Sequence, residues 1–370
     1  MAKDTESLKQ SITKKRKPKG KIRDKDYLST GSTMVNMGIS GHPDRGFAKG
    51  KYYLIPGGSG SGKTWLTLNV LAEAAVNPEF DGYDFVHDIP EEGALMDIAH
   101  YFGKKCADRI QPPKGTKENP EYSSTVEEFY DNLAARFEAG KPFIYLLDSQ
   151  DTLDAKDDLT KEKKLRRLRE RAAKLGKEPP EEPGSYGTAR AKLHSTKLRA
   201  VCNNLRKSGS ILIIISQSRQ AINAGPGDKD TRGGGNALTF YATIELWLKQ
   251  AGHVKKRVRN KDRKIGTYMK VRVKKNRVSG KDRSVVVPIL YDSGIDDVGS
   301  MIDWLLLEGG LKKGQGGKIK FDALGIEGTR EELVEQIETD GRQSEVKMAL
   351  TELWNQIEQE SKLTRKPRYQ

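Results

Sequence analysis

The chain has 370 residues, 35% hydrophobic and 32% charged, with a formal net charge of +15. That length suits about two domains, while no apolar run approaches the ~20 residues of a membrane span and the polar, basic start lacks the apolar stretch of a secretory signal. Cys106 and Cys202 lack metal-type spacing, which points to free thiols in a reducing, cytoplasmic setting.

Residues 1–26 read as a basic, disordered tail; residues 14–25 hold eight basic residues against one acid. Residues 27–50 are turn-rich, and a core is expected over 27–297. Apolar strand-like runs recur at Tyr52–Ile55, Tyr83–Val86, Phe143–Leu147, Ile211–Ile215 and Thr243–Leu248, separated mostly by helix-like stretches. That alternation predicts an α/β fold with a mainly parallel sheet flanked by helices. Tyr268–Val273 and Ser284–Leu290 flank Ser279–Asp282 and read as an antiparallel extension. Residues 153–183 interrupt the pattern with a charged helix whose Leu165, Leu168, Ala172 and Leu175 form a thin stripe. Residues 298–362 read as a small separate C-terminal α+β domain. Thr329-x-x-Glu332 is a capping box there, Ser344 opens a second helix, and 363–370 form a basic tail. Residues 255–277 hold twelve basic residues against one acid. The two basic segments therefore carry more than the whole excess of positive charge, which suits a polyanion-binding surface.

The chemistry begins at Gly57-Gly58-Ser59-Gly60-Ser61-Gly62-Lys63-Thr64, a complete G-x-x-x-x-G-K-[ST] phosphate loop. It follows an apolar strand and opens a helix at Trp65, the context the motif requires. Its backbone N–H groups and the helix N-terminus suit the phosphates of ATP; Lys63 suits the terminal phosphates and the Thr64 hydroxyl suits Mg²⁺. Asp148, ending an apolar strand, is the expected carboxylate of the Mg²⁺ shell. Glu91 and Glu92 follow another strand, and either could orient or deprotonate water. Gln217 ends the strand Ile211–Ile215, where an amide could sense a γ-phosphate. The polar, Gly-rich run that follows carries Arg219, Ile222, Lys229 and Arg232; a long loop of this kind is usually functional. In MKVRVKKNRV, strand alternation places Lys270, Arg272 and Lys274 on one face, and Lys275 and Arg277 on the other with Val271 and Val273.

These features together resemble RecA-type recombinases, of the phage-encoded kind, over roughly residues 28–295. The strongest matches are NLRKSGSILIIISQ (Asn204–Gln217), GGNALTFYATIEL (Gly234–Leu246) and the basic strand. The resemblance implies a RecA-like ATPase core in which Lys63, Thr64 and Asp148 bind ATP and Mg²⁺. It makes Gln217 the switch that couples γ-phosphate to DNA. It assigns 184–199 to the first DNA loop and helix, with Lys192 and Arg199 on the backbone. It assigns 218–235 to the second DNA loop, hinged at Gly234, Gly235 and Asn236. Phe240 would lie at a subunit interface, Lys275 and Arg277 would reach a neighbour's ATP, and Lys270 and Arg272 would bind a second duplex. The implied activity is DNA-dependent ATP hydrolysis, with filaments on single-stranded DNA promoting strand exchange, possible mediator or single-strand-binding partners, and no membrane. The chain departs from the family at Ala224-Gly225-Pro226 and at the 153–183 insertion, and it lacks a clear polymerisation helix before the core. Two other readings stay open on the residues: a motor or annealing accessory, such as a hexameric helicase-like ring, and an ATP-switched, non-catalytic DNA-binding scaffold.

Overall fold

The apolar runs become the strands of one ten-stranded sheet in the computed structural model, which describes residues 23–91, 96–175, 178, 188–220 and 230–365. The strands are β1 (Tyr52–Gly57), β2 (Asp84–Asp88), β3 (Ile110–Gln111), β4 (Phe143–Leu147), β5 (Ile211–Gln220), β6 (Asp230–Arg232), β7 (Ile244–Val258), β8 (Lys261–Asn276), β9 (Ser284–Leu290) and β10 (Gly294–Ile295). Their spatial order is β10-β9-β8-β7-β1-β5-β4-β2-β3, with β6 antiparallel on β5. Every neighbouring pair from β7 to β3 is parallel. β8, β9 and β10 add an antiparallel edge.

Helices cover both faces: α1 (Thr33–Ser40), α2 (Lys63–Val76), α3 (Val126–Glu138), α4 (Lys156–Lys174), α5 (Thr188–Ser208), α6 (Asn236–Tyr241), α7 (Asp297–Leu307), α8 (Arg330–Thr339) and α9 (Gln343–Glu360). Alternation along each central strand divides its side chains between two cores. Tyr53, Ile55, Ile144, Leu146, Ile213 and Ile215 pack with α2 residues such as Leu68 and Leu71. Tyr52, Leu54, Tyr145, Leu147, Leu212 and Ile214 pack with Phe129, Leu133 and Leu198 from α3 and α5. Burial on both faces is why these strands read as unbroken apolar runs.

Several expectations need correction. The turn-rich region conceals α1, whose residues Thr33–Ile39 are all buried. Ser32 caps it by accepting from the Val35 N–H, and Gly41 ends it at φ 74°. The helix is short and contains Gly38, so its pattern is weak; a Cβ at Gly38 would lie only 3.5 Å from Val273. The strand expected to stop at Leu248 runs on to Val258 and pairs with β8 as far as Lys261. The C-terminal region is less separate than it reads, because Met301, Ile302, Leu333, Ile337 and Leu350 join the same continuous apolar core as α2. Its capping box forms as expected, with Thr329 and Glu332 exchanging bonds of 2.8 and 3.3 Å. α9 starts at Gln343, one residue before Ser344. The charged insertion forms α4, which has no buried residue and leaves Leu168 and Leu175 exposed.

The turn after β8 is tied to both ends of the chain. Asn276 Nδ2 and Ser279 Oγ donate to the Ile39 carbonyl at 2.8 and 2.9 Å. Arg283 and Lys281 both pair with Glu358 on α9. Among the described residues no helix is long and apolar enough to cross a membrane.

Candidate active site

β1 ends at Gly57 and α2 starts at Lys63, so the phosphate loop bridges the C-terminal end of a central strand and a helix N-terminus. Neighbouring atoms leave no room for a Cβ at two of its positions. A Cβ on Gly57 would stand 2.5 Å from the Leu248 carbonyl oxygen. Gly62 adopts φ 89°, and a Cβ there would lie 2.6 Å from Ile289 Cδ1. Gly58 and Gly60 instead have open space before them, with no atom closer than 3.9 Å to a Cβ. The loop is thus closed behind and open in front, as a backbone cradle for phosphate needs. Ser61 Oγ and Lys63 Nζ donate to the Gly58 carbonyl at 2.7 and 2.6 Å. Trp65 turns its ring away to pack on Tyr101 and Phe102, leaving the helix backbone as its means of meeting a phosphate.

Thr64 Oγ1 donates to Asp148 Oδ2 at 2.7 Å, bringing both expected Mg²⁺ residues together. A hydroxyl and one carboxylate are the hard oxygen donors that Mg²⁺ uses when phosphates complete its shell. Burial raises the Asp148 pKa, opposed by the Thr64 hydrogen bond and reinforced by Glu91. Burial likewise lowers the Lys63 pKa, with Asp148, Glu91 and Asp151 working against it. Both shifts disfavour lone charges in a partly desolvated pocket, which an incoming cation and anion would relieve together.

Glu91 accepts from Gln217 Nε2 at 2.6 Å and from Ser149 Oγ at 3.0 Å. Glu92 lies outside the described residues. The Asp148–Ser149 peptide is cis. Residues after Asp148, which carry no motif, organise the rest: Gln217 N–H donates to Asp151 Oδ2 at 2.6 Å, and Gln150 Nε2 donates to the buried Ser216 hydroxyl at 3.1 Å. Arg190 on α5 holds the Asp151 and Leu153 carbonyls at 2.9 and 3.1 Å. A second Asp three residues after Asp148 was the only sequence signal for this cluster.

β5 carries Gln217 and continues to Gln220, and β6 returns alongside it, pairing Thr231 with Arg219 and Arg232 with Ser218. Residues 221–229, with Ile222 and Lys229, lie outside the described residues, as does the Arg219 side chain. Beyond β6, Gly234 and Gly235 take φ values of 81° and 74°. A Cβ on Gly234 would strike Leu238 at 2.4 Å and Gln150 at 2.8 Å, and one on Gly235 would lie 2.7 Å from Ala191. The hinge therefore packs on the segment after Asp148 and on α5. Asn236, Lys192 and Arg199 are exposed.

Arg232 does not fit the expected phosphate contact. Its side chain is 8% exposed and pairs with the 4% exposed Glu245 at 3.4 Å. It also donates to the Gly233 and Gly235 carbonyls at 2.9 and 3.1 Å and to Thr239. The guanidinium holds the hinge from inside, where a nucleic acid cannot reach it.

Lys275 and Arg277 lie away from this chain's own phosphate loop. Lys275 pairs with Glu245, which pairs with Leu54, three residues before the loop end of β1. Lys275 Nζ donates to the Thr239 and Phe240 carbonyls, and Arg277 Nη2 donates to the Phe240 carbonyl at 2.8 Å. Burial and Arg277 both lower the Lys275 pKa. Phe240, at the end of α6 that these cations cap, is 64% exposed. On the outer face of β8, Lys270 is exposed, Arg272 pairs with Asp282 at 2.8 Å, and Lys274 lies over the Trp247 ring.

Comparison with known proteins agrees with this geometry. The RecA N-terminal domain family matches residues 182–296. The protein named RecA of Allochromatium vinosum is 29% identical over 298 residues, 80% of this chain and 74% of its own. That of Methylococcus capsulatus is 29% identical over 283 residues, 76% of this chain and 70% of its own. That of Caulobacter sp. strain K31 is 29% identical over 289 residues, 77% and 69%. With its parallel sheet, its phosphate loop and an amide-bearing strand beside it, the chain is similar to RecA proteins over most of its length and matches the RecA N-terminal domain family over residues 182–296.

Proposed function

We propose that the protein is a cytoplasmic, ATP-dependent recombinase that assembles as a helical filament on single-stranded DNA and promotes homologous pairing and strand exchange. The observation that carries this reading is the bond between Gln217 and Glu91. It joins the water-activating position of the nucleotide site to the strand that leads directly into the second DNA loop.

In this reading Lys63 and the loop N–H groups hold the β- and γ-phosphates, and Thr64 and Asp148 hold Mg²⁺. Bound Mg²⁺·ATP would supply the scissile phosphoanhydride bond and the charge neutralisation at its oxygens. Glu91 accepts a proton from the attacking water, whose oxygen bonds to the γ-phosphorus as the bond to ADP breaks. Gln217 holds Glu91 while the nucleotide site is empty and turns to the γ-phosphate once the site is loaded. Because Gln217 N–H is anchored on Asp151 and the hinge packs on Gln150, that turn moves both ends of the DNA loop. Lys275 and Arg277 face outward beside Phe240, where a neighbouring protomer's nucleotide can engage them, so that nucleotide and filament reinforce each other. Lys192, Arg199, Lys229 and the Gly234–Asn236 hinge contact the single strand; Lys270 and Arg272 contact a second duplex.

Electron microscopy of the protein with single-stranded DNA and a non-hydrolysable ATP analogue tests the assembly, alongside a homologous-pairing assay. Helical filaments and joint molecules are expected. Closed rings that unwind DNA without pairing it would favour a motor instead.

A further inference from the structure

The ribbon formed by the ends of β7 and β8 has no place in the chemistry above. β7 pairs with β1 only through Leu248, and β8 pairs with β9 only from Gly266 onward. Among the described residues, 255–264 thus pair only with each other, and all ten are exposed. The ribbon projects about 17 Å beyond the sheet, at roughly 3.4 Å per residue. It turns at Arg259 and Asn260, whose φ values of 50° and 60° fit a tight two-residue hairpin turn.

Its charges are arranged against its own stability. Lys255 stands directly across from Lys264, and Lys256 across from Arg263. Like charges opposite one another weaken a strand pair. None of these four makes an ion pair with any described residue, and Asp262, across from Arg257, is the only acid of the segment. An edge strand guarded against aggregation needs a lysine or two, not a ladder of facing cations on both sides. Such a ladder is relieved when a polyanion supplies the missing charge.

Position selects the polyanion. Successive rungs of the ladder alternate faces, and the register shift at Ile265 sets one residue of β8 aside, so Arg263 and the facing Lys256 lie on the same face as Lys270 and Arg272, with Lys255 and Lys264 on the other. The eight ladder steps from Arg263 to Arg272 span about 27 Å, close to eight base-pair steps of duplex at about 3.4 Å each. The segment has no aromatic side chain, whereas single-strand binding relies on aromatic stacking. A two-stranded ribbon also fits the DNA major groove.

We propose that the hairpin 255–264 is an arm that grips the phosphate backbone of double-stranded DNA and extends the face carrying Lys270 and Arg272. This rests on the recombinase reading, and the experiment separates the two. The full-length protein carrying Lys255→Thr, Lys256→Thr, Arg263→Thr and Lys264→Thr is compared with wild type and with a charge-keeping variant, Lys255→Arg, Lys256→Arg and Lys264→Arg. Binding of a short fluorescent duplex is measured across a salt series, and ATP hydrolysis stimulated by single-stranded DNA is measured in parallel. In the neutral variant duplex affinity should fall about tenfold or more, and the salt slope should become shallower by about 0.9 for each phosphate that is no longer neutralised. Stimulated hydrolysis should persist, and the arginine variant should bind duplex like wild type. Unchanged duplex affinity and slope in the neutral variant would overturn the proposal, and would leave an acidic protein as the better occupant. Equal losses in both variants would overturn it too, because charge would not be the cause. Absent stimulation in wild type would count against the recombinase reading alone.

Discussion

The amide of Gln217 and the carboxylate of Glu91 meet at 2.6 Å although 126 residues separate them in the chain. That contact links Glu91 directly to the strand that carries the amide, and on it Glu91 is proposed as the base. Glu91→Gln should lower DNA-stimulated hydrolysis by about 10²–10⁴-fold, the usual contribution of a general base, with nucleotide binding retained. Glu92→Gln should leave turnover close to wild type. Steady-state hydrolysis and titration with a fluorescent nucleotide check both, and the reverse ranking would reassign the base.

Lys275 caps α6 in its own protomer and is proposed to serve a neighbour's nucleotide. Lys275→Ala should therefore abolish hydrolysis while nucleotide binding survives, and Lys63→Ala should abolish ATP-dependent assembly. Mixing the two variants should restore part of the activity, since one kind of seam then carries an intact phosphate loop facing an intact Lys275. Full-rate hydrolysis by isolated monomers would rule out this arrangement.

Arg232 and Glu245 form a buried pair. Removing one partner strands the other charge, which costs about 3–5 kcal/mol. Arg232→Ala should lower the thermal midpoint sharply and impair DNA-stimulated turnover by loosening the hinge. Exposed Lys192→Ala should weaken DNA binding with an unchanged midpoint. Differential scanning calorimetry beside a DNA-binding assay checks the pair of outcomes.

Two buried histidines set an acid limit. Among the described residues, both ring nitrogens of His87 lack a hydrogen-bond partner, and His194 has only the Tyr130 hydroxyl at 2.8 Å on Nδ1. Burial pushes each pKa down to about 4. In the unfolded chain both would titrate near 6.5. Their contribution to stability is complete above that value and is lost as pH falls from about 6.5 toward 4, because the unfolded chain takes up protons the fold refuses. The thermal midpoint should fall over that window, and His87→Leu should flatten the decline. A midpoint that His87→Leu leaves equally pH-dependent would exclude His87 as a contributor.

Much of this was legible in the sequence where chemistry and local pattern coincide. The phosphate loop, Asp148 and Gln217 each sit at the end of an apolar run, and strands buried on both faces announce themselves. What could not be read depends on distant partners. Nothing local shows that Arg190 holds two carbonyls near Asp151, or that Arg232, within a polar loop, turns inward to Glu245. The hairpin hid because its charges suppress the strand pattern and its turn lacks glycine. The C-terminal unit looked separate because sequence shows its own apolar faces but not that they join the core under α2.

Glu358 gives the far end of the chain a hold on the opposite edge of the fold. It neutralises Lys281 and Arg283, in the turn directly after Arg277. Clipping the protein ahead of that glutamate would unmask two further cations beside the protomer's outward-facing pair. A shortened form would thus present a broader positive surface at its rim, with two cations released from their carboxylate.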